Sequence, residues 1–398
     1  MVTDTPRGIT RRTWLAGAAA AGTLPARAVL AQSGKPLRIG LLNSFSGIFA
    51  VLGQDNLDGM SLSFAQDDWQ AGGRHVEIIK EDDQINPQIG LQKLKKLVES
   101  DKVDMVVGIQ ASNVAMAVLD YVRANKVFFI CSGAGTSGLT RNPMPNLFRT
   151  SFSSPQASAV IAKWVLDNVG PETMCMSADY AGGRDTISEF KRFYVKEGGR
   201  ISKEIYAPLG TSDFSVYLAD LQAANGKGLY AFYAGSDAVR FVKQYAEYGL
   251  KDKIRLSCLG FMVESDVLPA QGDAALGIVS SLHYADTLDN PANKEFVAAY
   301  RAKYRKFPSV YSEYGYVTGE VIKQAMKTLG GDTSQLGKLE EAVASVKLDA
   351  PRGPFAFNPV SHNPIENEYV RVVAEVDGRL ANKVISTTPN VSDTALDA

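Results

Sequence analysis

Cysteine and histidine are scarce in this 398-residue chain, which contains three of each. Cys131, Cys175 and Cys258 stand far apart, and each lies within or at the end of an apolar run. We expect buried free thiols, with a disulfide as the alternative, because sequence spacing cannot pair cysteines. No Cys-x-x-Cys or His-Glu-x-x-His motif occurs. The sequence therefore predicts neither a metal centre nor a cofactor.

An excess of either charge is also missing. The chain has 42 Lys and Arg residues against 43 Asp and Glu residues, and its net charge is −1. Nucleic acids and anionic membranes favour basic surfaces, so neither is an expected partner. No apolar run reaches the ~20 residues that a membrane-spanning helix needs. The Gly-x-Ser-x-Gly elbow of many hydrolases is absent, so we expect no enzyme, and an exported hydrolase stays a remote alternative.

The first 31 residues have the pattern of an export signal. Arg11 and Arg12 precede an apolar, Ala-rich stretch that ends near Leu24, and small residues favour cleavage after Ala31. The arginine pair favours the twin-arginine route, with an ordinary secretory signal as the alternative. The first cysteine, Cys131, is too distant to carry a lipid anchor at the cleavage site. The sequence thus predicts a mature protein in the periplasm.

Apolar, strand-like runs alternate with amphipathic helical patterns in two successive series. The first series extends from Leu37–Leu42 to Val127–Cys131, and the second from Thr173–Ser177 to Gly277–Leu282. Helices are predicted in the first series at Gln54–Ala71 and Ser112–Ala124, among others. Continuous apolar strands separated by helices are typical of parallel sheets covered on both faces. We predict an α/β fold with two doubly wound, Rossmann-like lobes.

The final segment of the chain is expected to return to both lobes. The N-terminal lobe would contain residues 36–150 and 283–355, and the C-terminal lobe residues 151–282 and 356–398. Three hinge crossings would join them, near Arg149–Phe152, Ser280–His283 and Gly353–Phe357. Several crossings restrict the lobes to opening and closing about a shared axis.

An ordered series of short motifs gives the chain a family resemblance. The series includes Ser44–Gly47, Glu81–Asp83, Cys131–Thr136, Asp179–Asp185 and Gly353–Asn358. In order and spacing it resembles the branched-chain amino acid (Leu/Ile/Val-binding) type of periplasmic binding protein. These type I receptors serve ATP-binding-cassette (ABC) importers. The resemblance implies a monomer that closes on a small molecule and then meets permease subunits in the inner membrane; a ligand sensor is a remote alternative.

Two segments that follow strands are the candidate anchors for a carboxylate. Ligands of open α/β sheets bind beyond the carboxyl ends of strands, where helix N-termini favour anions. Ser112 begins a predicted helix, and Gly133, Ala134, Gly135 and Thr136 follow the next strand. The resemblance implies that Ser112 and the Gly133–Thr136 turn hold the substrate carboxylate. A plain helix cap at Ser112 and simple turn geometry at the glycines are the alternatives.

The second lobe departs from the pattern of amino acid receptors. Those members hold the ammonium with an acidic residue after the strand that corresponds to Arg255–Cys258, where this chain has Leu259–Met262. Burying an ammonium without a carboxylate is costly. Glu264 follows a few residues later and could take this role after a loop shift.

Aromatic residues gather where the second lobe should face the cleft, namely Tyr180, Tyr233, Phe261, His283 and Tyr284. Aromatic walls suit a flat ring. Phe232 could face inward in place of Tyr233, Phe261 could pack in the core, and His283 could be a hinge residue. Further expected ligand contacts are Leu52 and Gln110.

The sequence therefore predicts a receptor for a small aromatic carboxylate of the benzoate or phenylpropenoate type. A branched-chain or other aliphatic amino acid, with Glu264 at the ammonium, is the main alternative.

Overall fold

Two β-sheets, each flanked by helices, organise the chain. The computed structural model describes residues 1–3 and 34–396. The predicted twin-arginine motif and the cleavage point after Ala31 lie outside the described residues. From Gly34 onward the chain forms one compact unit. Within the described part, no helix combines the length and the apolar character needed to cross a bilayer.

The first sheet has six strands in the order β2-β3-β1-β4-β5-β6. Its central strands are parallel, and the short β2 pairs antiparallel with β3. The strands are β1 (Leu37–Asn43), β2 (Gln70–Ala71), β3 (Arg74–Asp82), β4 (Met105–Gly108), β5 (Phe129–Cys131) and β6 (Leu147–Arg149). The helices of this part are α1 (Ala50–Ala65), α2 (Pro87–Lys95) and α3 (Ser112–Ala124).

The second sheet has nine strands, and its parallel part has the order β11-β10-β9-β7-β8. These strands are β7 (Glu172–Asp179), β8 (Arg200–Pro208), β9 (Gly228–Phe232), β10 (Arg255–Leu259) and β11 (Val279–Leu282). The chain later adds β12 (Lys347–Ala350), β13 (Gly353–Phe357), β14 (Pro364–Val376) and β15 (Arg379–Val391), which are antiparallel. The helices are α4 (Ser154–Asn168), α5 (Ala181–Lys196), α6 (Ser215–Ala224), α7 (Gly235–Glu247) and α8 (Leu268–Gln271).

The last part of the chain returns to the first sheet. It contains α9 (Pro291–Tyr304), α10 (Val310–Leu329) and α11 (Leu336–Ala344), and the short α12 (Asp393–Leu396) ends the described residues. Helix α10 packs closely along α1. Glycine at position 59 permits this contact, because a Cβ atom there would lie only 1.8 Å from the Ser312 carbonyl oxygen. Phe355 and Phe357 pack in the same core cluster as Leu37.

The structure confirms the α/β class and the two series of parallel strands. The predicted helix 54–71 is wrong at its end: α1 stops at Ala65, and Gln70–Ala71 form a strand that turns back through Gly72 and Gly73. The segment Gly353–Phe357 forms strand β13. Strand β14 pairs with β13 at Ile365 and with β11 from Tyr369 onward, so all three strands belong to the second sheet. The lobe boundaries remain a prediction.

The three cysteines are buried free thiols, as the sequence predicts.

Candidate functional site

A cavity lies where the carboxyl ends of both parallel sheets face each other. About 380 Å³ of space among its lining residues is free of protein atoms, including space that is open to solvent. Its polar residues follow strands of the first sheet or begin α4: Gln110, Ser112, Gly133, Gly135, Thr136 and Ser154. Its rings come from both sheets and from α10: Phe49, Phe152, Tyr180, Phe232, Phe261 and Tyr311. The cavity therefore has a hydrogen-bonding side and an aromatic side.

Ser112 is the first residue of α3 and is 4 % exposed. The residue in the N-cap position is Ala111, which has an extended backbone and no side chain able to cap the helix. The alternative reading of Ser112 as a plain N-cap is therefore wrong. The first N–H groups of a helix lack intrahelical acceptors and form the positive end of its dipole. Because α3 begins at the cavity without a side-chain cap, this end is available to an anion.

Gln110 adds a buried donor to the same side. Its Nε2 has no hydrogen-bond partner among the described residues. Its Oε1 lies against Gly133, where a Cβ atom would come within 2.4 Å of it. Glycine at this position thus allows the amide to reach the cavity. A buried donor without a partner costs roughly 1–3 kcal/mol, a cost that a ligand acceptor would remove.

A buried arginine holds the turn at Gly135 and Thr136. The guanidinium of Arg149 donates to the carbonyl oxygens of Gly135 at 3.2 Å and Thr136 at 2.9 Å. Ser154 also donates to the Gly135 carbonyl, through Oγ at 3.0 Å. Arg149 is fully buried, and within the described part of the chain no carboxylate forms an ion pair with it. Its positive charge behind the turn favours an anion in the cavity.

The aromatic side is a contiguous set of rings. Phe261 lies 4.7 Å from Phe152 and 5.5 Å from Tyr311, measured between ring centroids. Tyr180 lies 6.4 Å from Phe232 and 6.2 Å from Phe49. Burial, with smaller effects of two aspartates, raises the pKa of Tyr180, so its hydroxyl keeps its proton. The rings could stack on a flat ligand while this hydroxyl meets a polar substituent.

Four residues predicted to face the cleft do not line the cavity, and one of them, Tyr284, is fully buried with its ring 6.4 Å from that of Phe296. Tyr233 lies on the opposite face of the sheet, where its ring packs 4.7 Å from that of Phe241. Phe232 lines the cavity in its place, because successive side chains of a strand point to opposite faces. His283 is buried behind Phe152. Ala134 is an internal part of the turn, with its N–H donating to the Ile109 carbonyl.

The other predicted residues come together around the cavity: Leu52, Gln110, Ser112, Gly133, Gly135, Thr136, Tyr180 and Phe261. Sequence reasoning missed further lining residues, namely Phe49, Phe152, Ser154, Gly182, Thr186, Ala234 and Tyr311. Gly182 follows the end of β7 and could have been found by the same strand-end argument. Tyr311 comes from α10, a distant segment, and carried no local signal.

The one acid considered for an ammonium is engaged elsewhere. Glu264 accepts from Arg371 Nη1 at 2.7 Å and from the Val310 N–H at 3.0 Å. It does not line the cavity, and neither does any other described Asp or Glu. Within the described residues the cavity therefore offers hydroxyls, an amide, backbone groups and rings, without a charged side chain.

The two sides of the cavity are joined by direct contacts. Asp185, on α5, accepts from the N–H of Ser137 at 3.0 Å and from its Oγ at 2.6 Å. Gly235, at the start of α7, has a φ of +58°, and a Cβ atom there would lie 2.1 Å from the Ile48 carbonyl oxygen. Glycine thus permits the close approach. The structure shows the arrangement in which the lobes touch.

Comparison with known proteins supports this architecture. A family model described as "Periplasmic binding protein" matches residues 36–378. A Leu/Ile/Val-binding protein homolog 6 from Brucella melitensis is 31% identical over 91% of this chain and 94% of its own length.

Two solved structures agree closely with the chain. An ABC transporter substrate-binding protein from Sphaerobacter thermophilus is 36% identical, with a TM-score of 0.84 over 90% of this chain and 99% of its own. A solute-binding protein of an ABC transporter from R. palustris, solved in complex with benzoate, is 31% identical. Its TM-score is 0.85 over 90% of this chain and 98% of its own.

Proposed function

We propose that this chain, which belongs to the periplasmic binding protein family, binds a small aromatic carboxylate of the benzoate or phenylpropenoate type. The coarser role follows from the family: it is a substrate-binding protein of an ABC transporter. We further propose that the protein acts in the periplasm as a monomer that delivers its ligand to permease subunits.

The proposal rests on the lining of the cavity. Hydrogen-bond donors form one side, aromatic rings form the other, and no described Asp or Glu lines it. A carboxylate would meet the start of α3 at Ser112, the amide of Gln110 and the turn at Gly135–Thr136. Arg149 lies behind this turn and adds a positive charge. The similarity to a benzoate-bound protein supports the same ligand class.

The alternative ligand is a branched-chain or other aliphatic amino acid, as the name of the Brucella relative suggests. An ammonium buried in this cavity would lack a carboxylate partner, which is energetically costly. Glu264 would have to leave Arg371 to supply one. The geometry therefore favours the aromatic acid.

Binding is proposed to act through lobe closure. The donors come chiefly from the first sheet, whereas Tyr180, Phe232 and Phe261 come from the second, so a ligand must bridge both. A ligand that contacts both lobes stabilises the closed state by its differential affinity for that state. The permease would then recognise the closed form.

Thermal unfolding of the chain from Gly34 onward, against a panel of acids, tests the proposal. The panel contains benzoate, 4-hydroxybenzoate, coumarate, phenylacetate, leucine, valine and glutamate. A ligand at ~100 times its dissociation constant should add about 2.7 kcal/mol of stability. Stabilisation by aromatic acids alone is expected. Stabilisation by leucine or valine, or by no member of the panel, would reject the ligand class.

A matched pair of variants tests the ring contact. Phe261→Leu removes a ring that lines the cavity, and Phe214→Leu removes one that is equally buried outside it. Both variants should lose stability, by up to the few kcal/mol typical of core truncations. Only Phe261→Leu should weaken binding of the aromatic acid. Ser112→Ala tests the carboxylate contact in the same way, and unchanged affinity would remove Ser112 from the site.

A further inference from the structure

Behind the ligand cavity lies a second cluster of polar side chains, which the proposed function does not use. His283 directly follows β11, and Glu366 and Glu368 lie near the start of β14. All three side chains are fully buried. One potential metal-ligating atom from each lies within 4.8 Å of those of the other two.

Most of the donor and acceptor atoms in this cluster lack a hydrogen-bond partner. Both ring nitrogens of His283, both carboxyl oxygens of Glu368 and Oε1 of Glu366 are without one among the described residues. Buried polar groups normally have partners, because burying one without compensation costs free energy. Nearby Glu264 and Glu313 follow this rule, since each is paired with an arginine.

The charges around the cluster do not balance. Arg352 contacts both Glu313 and Glu366, and Arg371 contacts Glu264. Glu368 has no arginine partner among the described residues, so the four carboxylates outnumber the arginines even when the nearby Arg149 is counted with Arg352 and Arg371.

The geometry is compatible with a metal ion. Nδ1 of His283 and Oε1 of Glu366 are 3.7 Å apart. Two ligands that are each about 2.1 Å from a zinc ion lie at most about 4.2 Å apart. A small movement of Glu368 would complete the set. One imidazole and two carboxylates suit Zn²⁺ and related transition metals better than Ca²⁺, which prefers all-oxygen shells.

We propose that His283, Glu366 and Glu368 bind one divalent transition-metal cation, with Zn²⁺ as the best fit. The ion would tie the end of β11, where a hinge crossing is predicted, to the start of β14. The His283 ring stacks behind Phe152 at a centroid distance of 6.4 Å, and Phe152 lines the ligand cavity. The ion would therefore stiffen both the hinge and the back wall of the ligand site.

Metal content of the purified chain tests this proposal. The chain from Gly34 onward is produced without a polyhistidine tag, incubated with ZnCl₂, exchanged into metal-free buffer and analysed by mass spectrometry for zinc. We expect one zinc ion per chain. His283→Gln and Glu368→Gln should each weaken zinc affinity by more than the ~10–100-fold typical of outer-shell changes. His75→Gln, which alters an exposed histidine, is the matched control and should retain the ion.

Two outcomes would overturn the proposal: no stoichiometric zinc in the wild-type chain, or zinc that both cluster variants retain. Because either variant could fail to fold, a zinc-soaked crystal of the wild-type chain provides the second measurement. An anomalous difference peak between His283 and Glu366 would support the site. A peak elsewhere, or none, would reject it. No panel acid is present in these measurements, so their failure and failure of the proposed ligand class are distinguishable.

Discussion

Closure of the lobes should depend on Asp185. Its carboxylate accepts two hydrogen bonds from Ser137, one from the backbone N–H and one from the hydroxyl. Ser137 follows the turn at the donor side of the cavity, whereas Asp185 lies on α5 beside the second sheet. In the proposed closing motion, these bonds would form only while the lobes touch. Replacing Asp185 with alanine should therefore destabilise the closed state and leave the separate lobes intact.

The size of the effect follows from the type and exposure of the bonds. A hydrogen bond to a charged group contributes about 1.5–3 kcal/mol when it is well shielded from water. Asp185 is partly exposed, and solvent screening reduces such contributions. We therefore expect a loss of about 1–2 kcal/mol in the closed state, which corresponds to a roughly 5–30-fold weaker apparent affinity.

Calorimetric titration with the panel acid that stabilises the wild-type chain most would measure this change. Asp179→Ala is the matched control, because Asp179 pairs with Arg184 on the same lobe and both are exposed. The control should bind like the wild type. If Asp185→Ala binds within twofold of the wild type while remaining folded, the Ser137–Asp185 contact does not contribute to closure, and the reasoning fails.

Two further predictions concern groups next to the cavity and in the hinge. Gly135→Ala should lower the free energy of unfolding by about 1–3 kcal/mol and weaken ligand binding, because the new Cβ would lie 2.0 Å from the Phe152 ring. A variant with the stability and the ligand affinity of the wild type would contradict this. Arg371→Met should cost about 3–5 kcal/mol at pH 8 by leaving Glu264 unpaired. Burial already raises the pKa of Glu264, so the folded variant binds more protons than the unfolded chain and its stability falls as pH rises. Urea denaturation should therefore show a smaller loss of unfolding free energy at pH 5 than at pH 8. Arg38→Met, which alters an exposed arginine, is the control. An equal loss at both pH values in Arg371→Met would refute the argument.

Local patterns were sufficient to predict most of the fold. Helix α3 covers the predicted range Ser112–Ala124, because its apolar face repeats with helical period between two strands. The hairpin of β12 and β13 escaped prediction, since its four- and five-residue strands carry little pattern of their own. It is fixed instead by Phe355 and Phe357, which pack against the first sheet. Tertiary packing thus decided the elements that local sequence could not.

The sequence predicts those site residues that lie just after a strand. It does not predict which side chains of a strand point toward the cavity. Ser112, Gly133 and Gly135 lie within four residues of the ends of β4 and β5, and the structure brings them to one cavity. Tyr233 lies outside the cavity because adjacent side chains at the end of β9 point to opposite faces of the sheet. Arg149 was considered only at a predicted hinge crossing, because the sequence does not show which carbonyl oxygens a buried arginine binds.

The lack of an acid among the described residues that line the cavity supports the proposed ligand class more than any single lining residue does. Hydroxyls, an amide and backbone N–H groups serve amino acids and plain carboxylic acids alike, so the donor side does not distinguish the two classes. The ammonium does, because an isolated charge in a buried site is strongly disfavoured. Here Glu264 is held by Arg371 and by the Val310 N–H, and releasing it would leave Arg371 without its carboxylate. An amino acid would thus leave one charge unpaired in either arrangement, its ammonium or Arg371, whereas an aromatic acid has no ammonium and covers the rings as well.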